Sequence, residues 1–178
     1  MAEDDDAYGG MFGAIPYAIR TSDSWLFRGY ATLGTLVVGF VAVLFAFAIV
    51  GVFASTTGGR GGTFSFSRAF FVFVALLVVA PVLAPILSVA RKHRRGAGEH
   101  SYDVGMGALG VTLLASLYVG LVATVPPEQE ESYGGVGEAV VVPIVEFLYD
   151  LPPVAGLAFP AVVAVAILLY HRRRGRVS

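Results

Sequence analysis

The sequence predicts an all-α, polytopic membrane protein, a bundle of four transmembrane helices with a short interfacial or re-entrant helix in the second outer loop. Three observations carry this. Four long apolar runs contain no Asp, Glu, Lys, Arg or His between their ends. The chain is 56% hydrophobic and only 14% charged, with a mean hydropathy of +0.75, whereas an ordinary soluble domain carries about 25% charge. The charges are also segregated, with acids at the N-terminus and between 128 and 150, and bases after 90 and after 170.

The first 29 residues form an acidic tail (Glu3, Asp4, Asp5, Asp6) followed by a mildly amphipathic stretch, Phe12-Gly-Ala-Ile-Pro-Tyr-Ala-Ile-Arg20. A secretory signal opens on basic residues, so the first apolar run is expected to be a retained span. That run, Tyr30 to Ala54, is entered through Trp25-Leu-Phe-Arg-Gly-Tyr30, whose rings and cation suit the headgroup zone. Span two is Ala69 to Ala90, span three Val104 to Val125, and span four Val154 to Tyr170, forming with span one a transmembrane domain over 30–170. The first three reach the roughly 20 residues that cross about 30 Å of hydrocarbon. The fourth needs Leu151, Pro152 and Pro153 to open its first turn, where proline's missing N–H costs nothing. Barrel strands would alternate polar and apolar residues, but the runs from Thr35 and from Phe70 are continuously apolar.

The glycine-rich loop that begins at Ser55 lacks the Lys-Ser/Thr of a phosphate-binding loop and reads as a connector. The segment Ala139 to Tyr149 is too short to cross and reads as an interfacial or re-entrant helix. If the N-terminus is cytoplasmic, ten of the twelve Lys and Arg lie inside. The topology-determining residues are Arg91, Lys92, Arg94 and Arg95, then Arg172, Arg173 and Arg174 in a basic tail over 171–178. The positive-inside rule therefore predicts a multi-pass protein of the cell membrane with both termini cytoplasmic.

Eleven of the twelve bases are Arg, and Ala, Val and Gly dominate the apolar positions. With the acidic tail this suits a high-GC, salt-loving host. Over its whole length, and in the string Ser65-Phe-Ser-Arg-Ala-Phe-Phe71, the chain resembles the small four-span membrane proteins of halophilic archaea. The resemblance implies no activity.

No catalytic, cofactor or metal constellation stands out. The absence of cysteine excludes disulfides, thiol catalysis and thiolate-held metals. His93, His100 and His171 fall beside Arg clusters rather than within spans, where a membrane haem would need them. His93, Glu99, His100 and Asp103 share one inner loop, but the spacing fits no helix-borne metal motif, so a solvated loop is expected. Glu146 and Asp150 share a helical face and read as solubilising. Span hydroxyls (Thr32, Thr35, Ser88, Thr112, Ser116, Tyr118, Thr124) should bond to backbone or to neighbouring helices. Nothing resembles the basic face of a nucleic-acid binder.

The remaining pattern is small residues at helical spacing: Ala80, Ala84 and Ser88 in span two, Gly105, Ala108, Thr112 and Gly120 in span three, Gly156 and Ala164 in span four. Steps of three or four place each set on one face, where backbones can approach. On this reading Ala84 is the position most sensitive to added bulk, Gly110 less so, while Val38 and Leu76 tolerate it. The prolines at 81, 85 and 160 should kink their helices. The expectation is a non-enzymatic scaffold or accessory subunit, working through helix contacts with other membrane proteins or with itself and through a basic inner surface. A small transporter or channel component is the alternative, and a membrane enzyme the third reading.

Overall fold

The structure, a computed structural model, describes residues 10–56, 72–125 and 138–174. They form six helices: α1 (Gly10–Thr21), α2 (Trp25–Thr56), α3 (Val72–Arg94), α4 (His100–Val122), α5 (Glu138–Tyr149) and α6 (Pro153–Arg174). No strand occurs among the described residues. The helices α2, α3, α4 and α6 are each long and apolar enough to cross a membrane. The chain is thus a multi-pass membrane protein of the all-α class. The acidic tail, the glycine-rich loop with Arg60 and Arg68, and the acidic part of the second long loop lie outside the described residues.

Each long helix runs past its apolar stretch at one end of the bundle, where Trp25, Arg94, His100 and Arg174 sit; this is called the basic end below. Pro153 opens α6, as expected from its missing donor. Ser24 caps α2 by accepting the Phe27 amide at 3.2 Å. The end of α3 is a Schellman turn in which Gly96 takes φ +68°. There the Gly96 amide donates to the His93 carbonyl at 2.9 Å and the Ala97 amide to Lys92 at 3.1 Å. A left-handed residue is needed there, which favours glycine, and it turns the chain straight into α4.

Before Pro81, α3 opens into a π turn over Ala75–Val79. The proline ring cannot accept the normal hydrogen-bond register of the preceding turn, and a widened turn relieves the clash. Pro85 and Pro160 stay inside helices.

The hub is α4, packed most extensively on α6, then on α2, then on α3. Burial is concentrated at the basic end, around Phe27, Tyr30, Ile86, Tyr102 and Met106. The Tyr30 hydroxyl donates to the Val82 carbonyl and so ties α2 to α3 within the proline-rich segment. Beyond Gly34 no described residue of α2 is buried. The short helix α1 lies across the basic end of α3 and also touches α2. It is more than a linker, because Ala14 and Ala18 are fully buried while Phe12 stands out, 84% exposed.

Candidate functional site

The polar chemistry of the described residues gathers at the basic end. Buried polar side chains are Ser22, Ser24, Lys92 and Asp103. Asp103, in the first turn of α4, has no exposed surface. Its Oδ2 accepts the Ser22 hydroxyl at 2.6 Å and lies 2.8 Å from Nε2 of His93. Where the carboxylate is ionised it only accepts, and His93 then donates from Nε2. One carboxylate therefore joins the α1–α2 connector, the end of α3 and the start of α4. Its second oxygen, Oδ1, is buried with no hydrogen-bond partner among the described residues, a condition that costs about 1–3 kcal/mol. The Ser22 connector is fixed from the other side by Arg28, whose Nε donates to the Ser22 carbonyl at 2.7 Å.

The order Ser–Asp–His, with the carboxylate in the middle, differs from a nucleophile triad. There an imidazole must face the hydroxyl to take its proton. What this arrangement does is clamp three elements together. The expectation of a solvated loop over 93–103 is corrected for His93 and Asp103, while Glu99 and His100 are exposed: the Schellman turn folds the loop back, and helix α4 starts early enough to drive Tyr102 and Asp103 into the core. Among the described residues no group of three or more His, Asp and Glu is placed to hold a metal.

Beside the clamp a second network joins α3, α4 and α6. The buried Tyr102 shares a hydrogen bond of 2.6 Å with Nδ1 of His171. Its ring stacks on Tyr170 at 5.8 Å, and the Lys92 ammonium sits 4.3 Å above its centroid, a cation–π contact. Lys92 reaches Glu99 at 3.4 Å, and Arg174 lies 4.0 Å from the same carboxylate.

Glu99 is held below the usual carboxylate range, first by the Ser101 hydroxyl that donates to it and then by Lys92. The sign follows from linkage. A depressed folded-state pKa stabilises the fold above the unfolded value, near about 4.3, and that contribution disappears as pH falls through the folded value. Melting curves of the detergent-purified protein between pH 6 and 3 should show an acid-side fall that Glu99→Gln flattens. A Glu99→Gln variant with the same acid limb as the parent would show that the Lys92–Glu99–Arg174 contact contributes nothing.

The small-residue pattern divides. Gly120 and Gly156 meet across α4 and α6: a Cβ on Gly156 would come within 2.7 Å of both the Gly120 carbonyl oxygen and Thr124 Cγ2. A Cβ on Gly105 would run into the Tyr170 hydroxyl. Ala164 is half-buried on α6. By contrast Ala80, Ala108 and Thr112 are exposed, and Ala84 and Ser88 only half-buried. The face of α3 that the bundle buries runs instead through Val82, Pro85, Ile86 and Val89. On α4, a Cβ added at Gly107 would run into the Phe27 backbone of α2, and one at Gly110 into the Tyr30 ring. Ranking Ala84 above Gly110 is therefore reversed. Thr32, Thr35, Thr112, Ser116 and Thr124 all donate to carbonyls three or four residues earlier in their own helices. Of the basic residues, Arg91, Arg94, Arg95, Arg172, Arg173 and Arg174 are exposed, while Lys92 is buried. Glu146 and Asp150 lie at the end of α5 and just after it.

The chain belongs to a domain family of unknown function, DUF8056, whose model matches residues 1–175. No curated protein and no solved structure matches it.

Proposed function

We propose that this chain is a non-enzymatic scaffold or accessory subunit of a membrane assembly, which recruits a partner helix through the far half of α2. One observation carries the reading. Of the most apolar stretch of α2 only 6% is buried, the least of the four, against 11% for α6, 28% for α4 and 31% for α3. Phe40 and Phe47 are 64% and 72% exposed there, and a Cβ on Gly39 would meet nothing within 4 Å. Lipid supplies no hydrophobic drive for helix pairing. Close packing against small residues does, and Gly39, Ala42 and Ala46 follow one another at helical spacing on exposed backbone. The same geometry speaks against the rival transporter or channel, since every buried polar side chain described sits at the basic end rather than along a path across the bundle.

Photo-crosslinking residues placed at Phe40 and Phe47 in native membranes should give discrete protein adducts, while Val162 on the exposed face of α6 should not. An adduct of twice the chain mass would identify the partner as a second copy. Equal, lipid-only labelling at all three positions would overturn the reading, and solute flux through reconstituted vesicles above the empty-vesicle level would favour the transporter.

The basic end is placed in the cytoplasm of a salt-loving archaeal host, on charge bias and composition. Cys introduced at Gly59 and Gly134, both outside the described residues, should react with an impermeant thiol reagent from outside. Cys at Ala97, or at Ser178 beyond the described C-terminus, should not. Labelling at Ala97 in intact cells would reverse the topology.

A further inference from the structure

We propose that the ends of α3 and α6 together form a binding site for the phosphate headgroup of an anionic phospholipid, in the leaflet at the basic end. The sequence places two basic runs eighty residues apart; the fold makes them one surface. Tyr102 stands between them, bonded to His171 of α6 and covered by Lys92 of α3.

The charges at this surface do not balance. Glu99 is shared by Lys92 and Arg174, and Asp103 is committed to His93. Arg91, Arg95, Arg172 and Arg173 are exposed, and among the described residues none has a carboxylate within ion-pair distance. The C-terminal dipoles of α3 and α6 offset roughly one unit of this charge, leaving about three positive charges. Guanidinium groups satisfy phosphate oxygens in pairs, and a phosphate brought between the two runs relieves their mutual repulsion.

The level of the surface selects a lipid over a dissolved anion. The exposed Phe12 of α1 and Trp25 at the mouth of α2, 84% and 77% exposed, stand at the same end of the bundle. Aromatic rings of this kind settle among headgroups. Clustered cations beside a span bind acidic lipids with roughly fivefold in affinity per charge, the factor equivalent to about 1 kcal/mol. The inference does not depend on whether α2 recruits a partner.

The test uses the full chain in a mild non-ionic detergent, titrated separately with short-chain phosphatidylglycerol, phosphatidylcholine and inorganic phosphate. Retained lipid is read by native mass spectrometry and stability by melting temperature. Phosphatidylglycerol should remain bound and raise the melting temperature, phosphatidylcholine should do neither, and phosphate should act only weakly. The pair Arg91→Gln/Arg172→Gln should weaken phosphatidylglycerol binding by roughly 25-fold. The charge-preserving pair Arg91→Lys/Arg172→Lys should lose only a few-fold, and it supplies the measurement if the Gln pair fails to fold. Equal stabilisation by phosphatidylcholine, equal potency of free phosphate, or unweakened binding in both paired variants would each overturn the proposal.

Discussion

Gly107→Ala should destabilise the protein by about 1–3 kcal/mol, the ordinary cost of forcing volume into a filled contact. The Cβ it adds would lie 2.8 Å from both the Cα and the amide nitrogen of Phe27. Those are backbone atoms in the first turn of α2, a turn held by Ser24 and by the buried Phe27 ring, so nothing nearby can swing aside. Gly29→Ala is the control, since it adds the same methyl to α2 with nothing within 4 Å. There the change should be neutral or stabilising by up to about 1 kcal/mol, because alanine prefers the helix. The opposite signs separate packing from propensity. Bulkier changes extend the series: Gly110→Phe should be severe because the Tyr30 ring is buried and its hydroxyl engaged, whereas Ala84→Phe should be milder at a half-buried position. Melting in detergent reads all four. A Gly107→Ala protein as stable as the parent would show that α2 and α4 do not meet as described.

Asp103→Ala should cost about 1–3 kcal/mol for each buried donor that it leaves unpaired. It leaves the Ser22 hydroxyl and the His93 ring without their acceptor inside the core. The loss should also be local in a telling way. Helix α1 is held by the buried Ala14 and Ala18, by Ile15, Tyr17 and Ile19 packed against the core, and by this connector. Hydrogen exchange should therefore rise across residues 10–24 while the Gly120–Gly156 crossing of α4 and α6 keeps its protection. Asp103→Asn preserves the shape and can still accept from one neighbour, so it should fall between parent and alanine variant. If the amides of α1 exchange at the parental rate in Asp103→Ala, the carboxylate is not what fastens that helix to the bundle.

The two variants mark where sequence reasoning reached and where it stopped. The spans were legible because crossing a bilayer constrains each segment separately: every backbone group must be satisfied within the helix, and the segment must be apolar along its length. Tyr30–Ala54 needs no neighbour to qualify. The Gly120–Gly156 crossing was half-legible, since small residues at helical spacing mark backbones able to approach, but spacing alone admitted Ala80, Ala108 and Thr112 equally, and these are exposed.

The face of each helix was not legible. In a soluble bundle, polar residues mark the outside and the apolar stripe marks the core. In lipid both faces are apolar, so the periodicity that would have separated Val82 and Ile86 from Ala80 and Ala84 is absent. The clamp was hidden for a related reason. Asp103 immediately precedes the apolar run of span three and looked like loop, and Ser22, His93 and Asp103 are spread over three segments. Only the tertiary structure brings them within 2.6 and 2.8 Å, through the Gly96 turn and the docking of α1. What the sequence determined by itself is the number of spanning helices and their apolar extent, because those are properties of single segments. Which faces meet, which carboxylate is buried and which cations converge were decided by packing, because each depends on pairs of residues far apart in the chain.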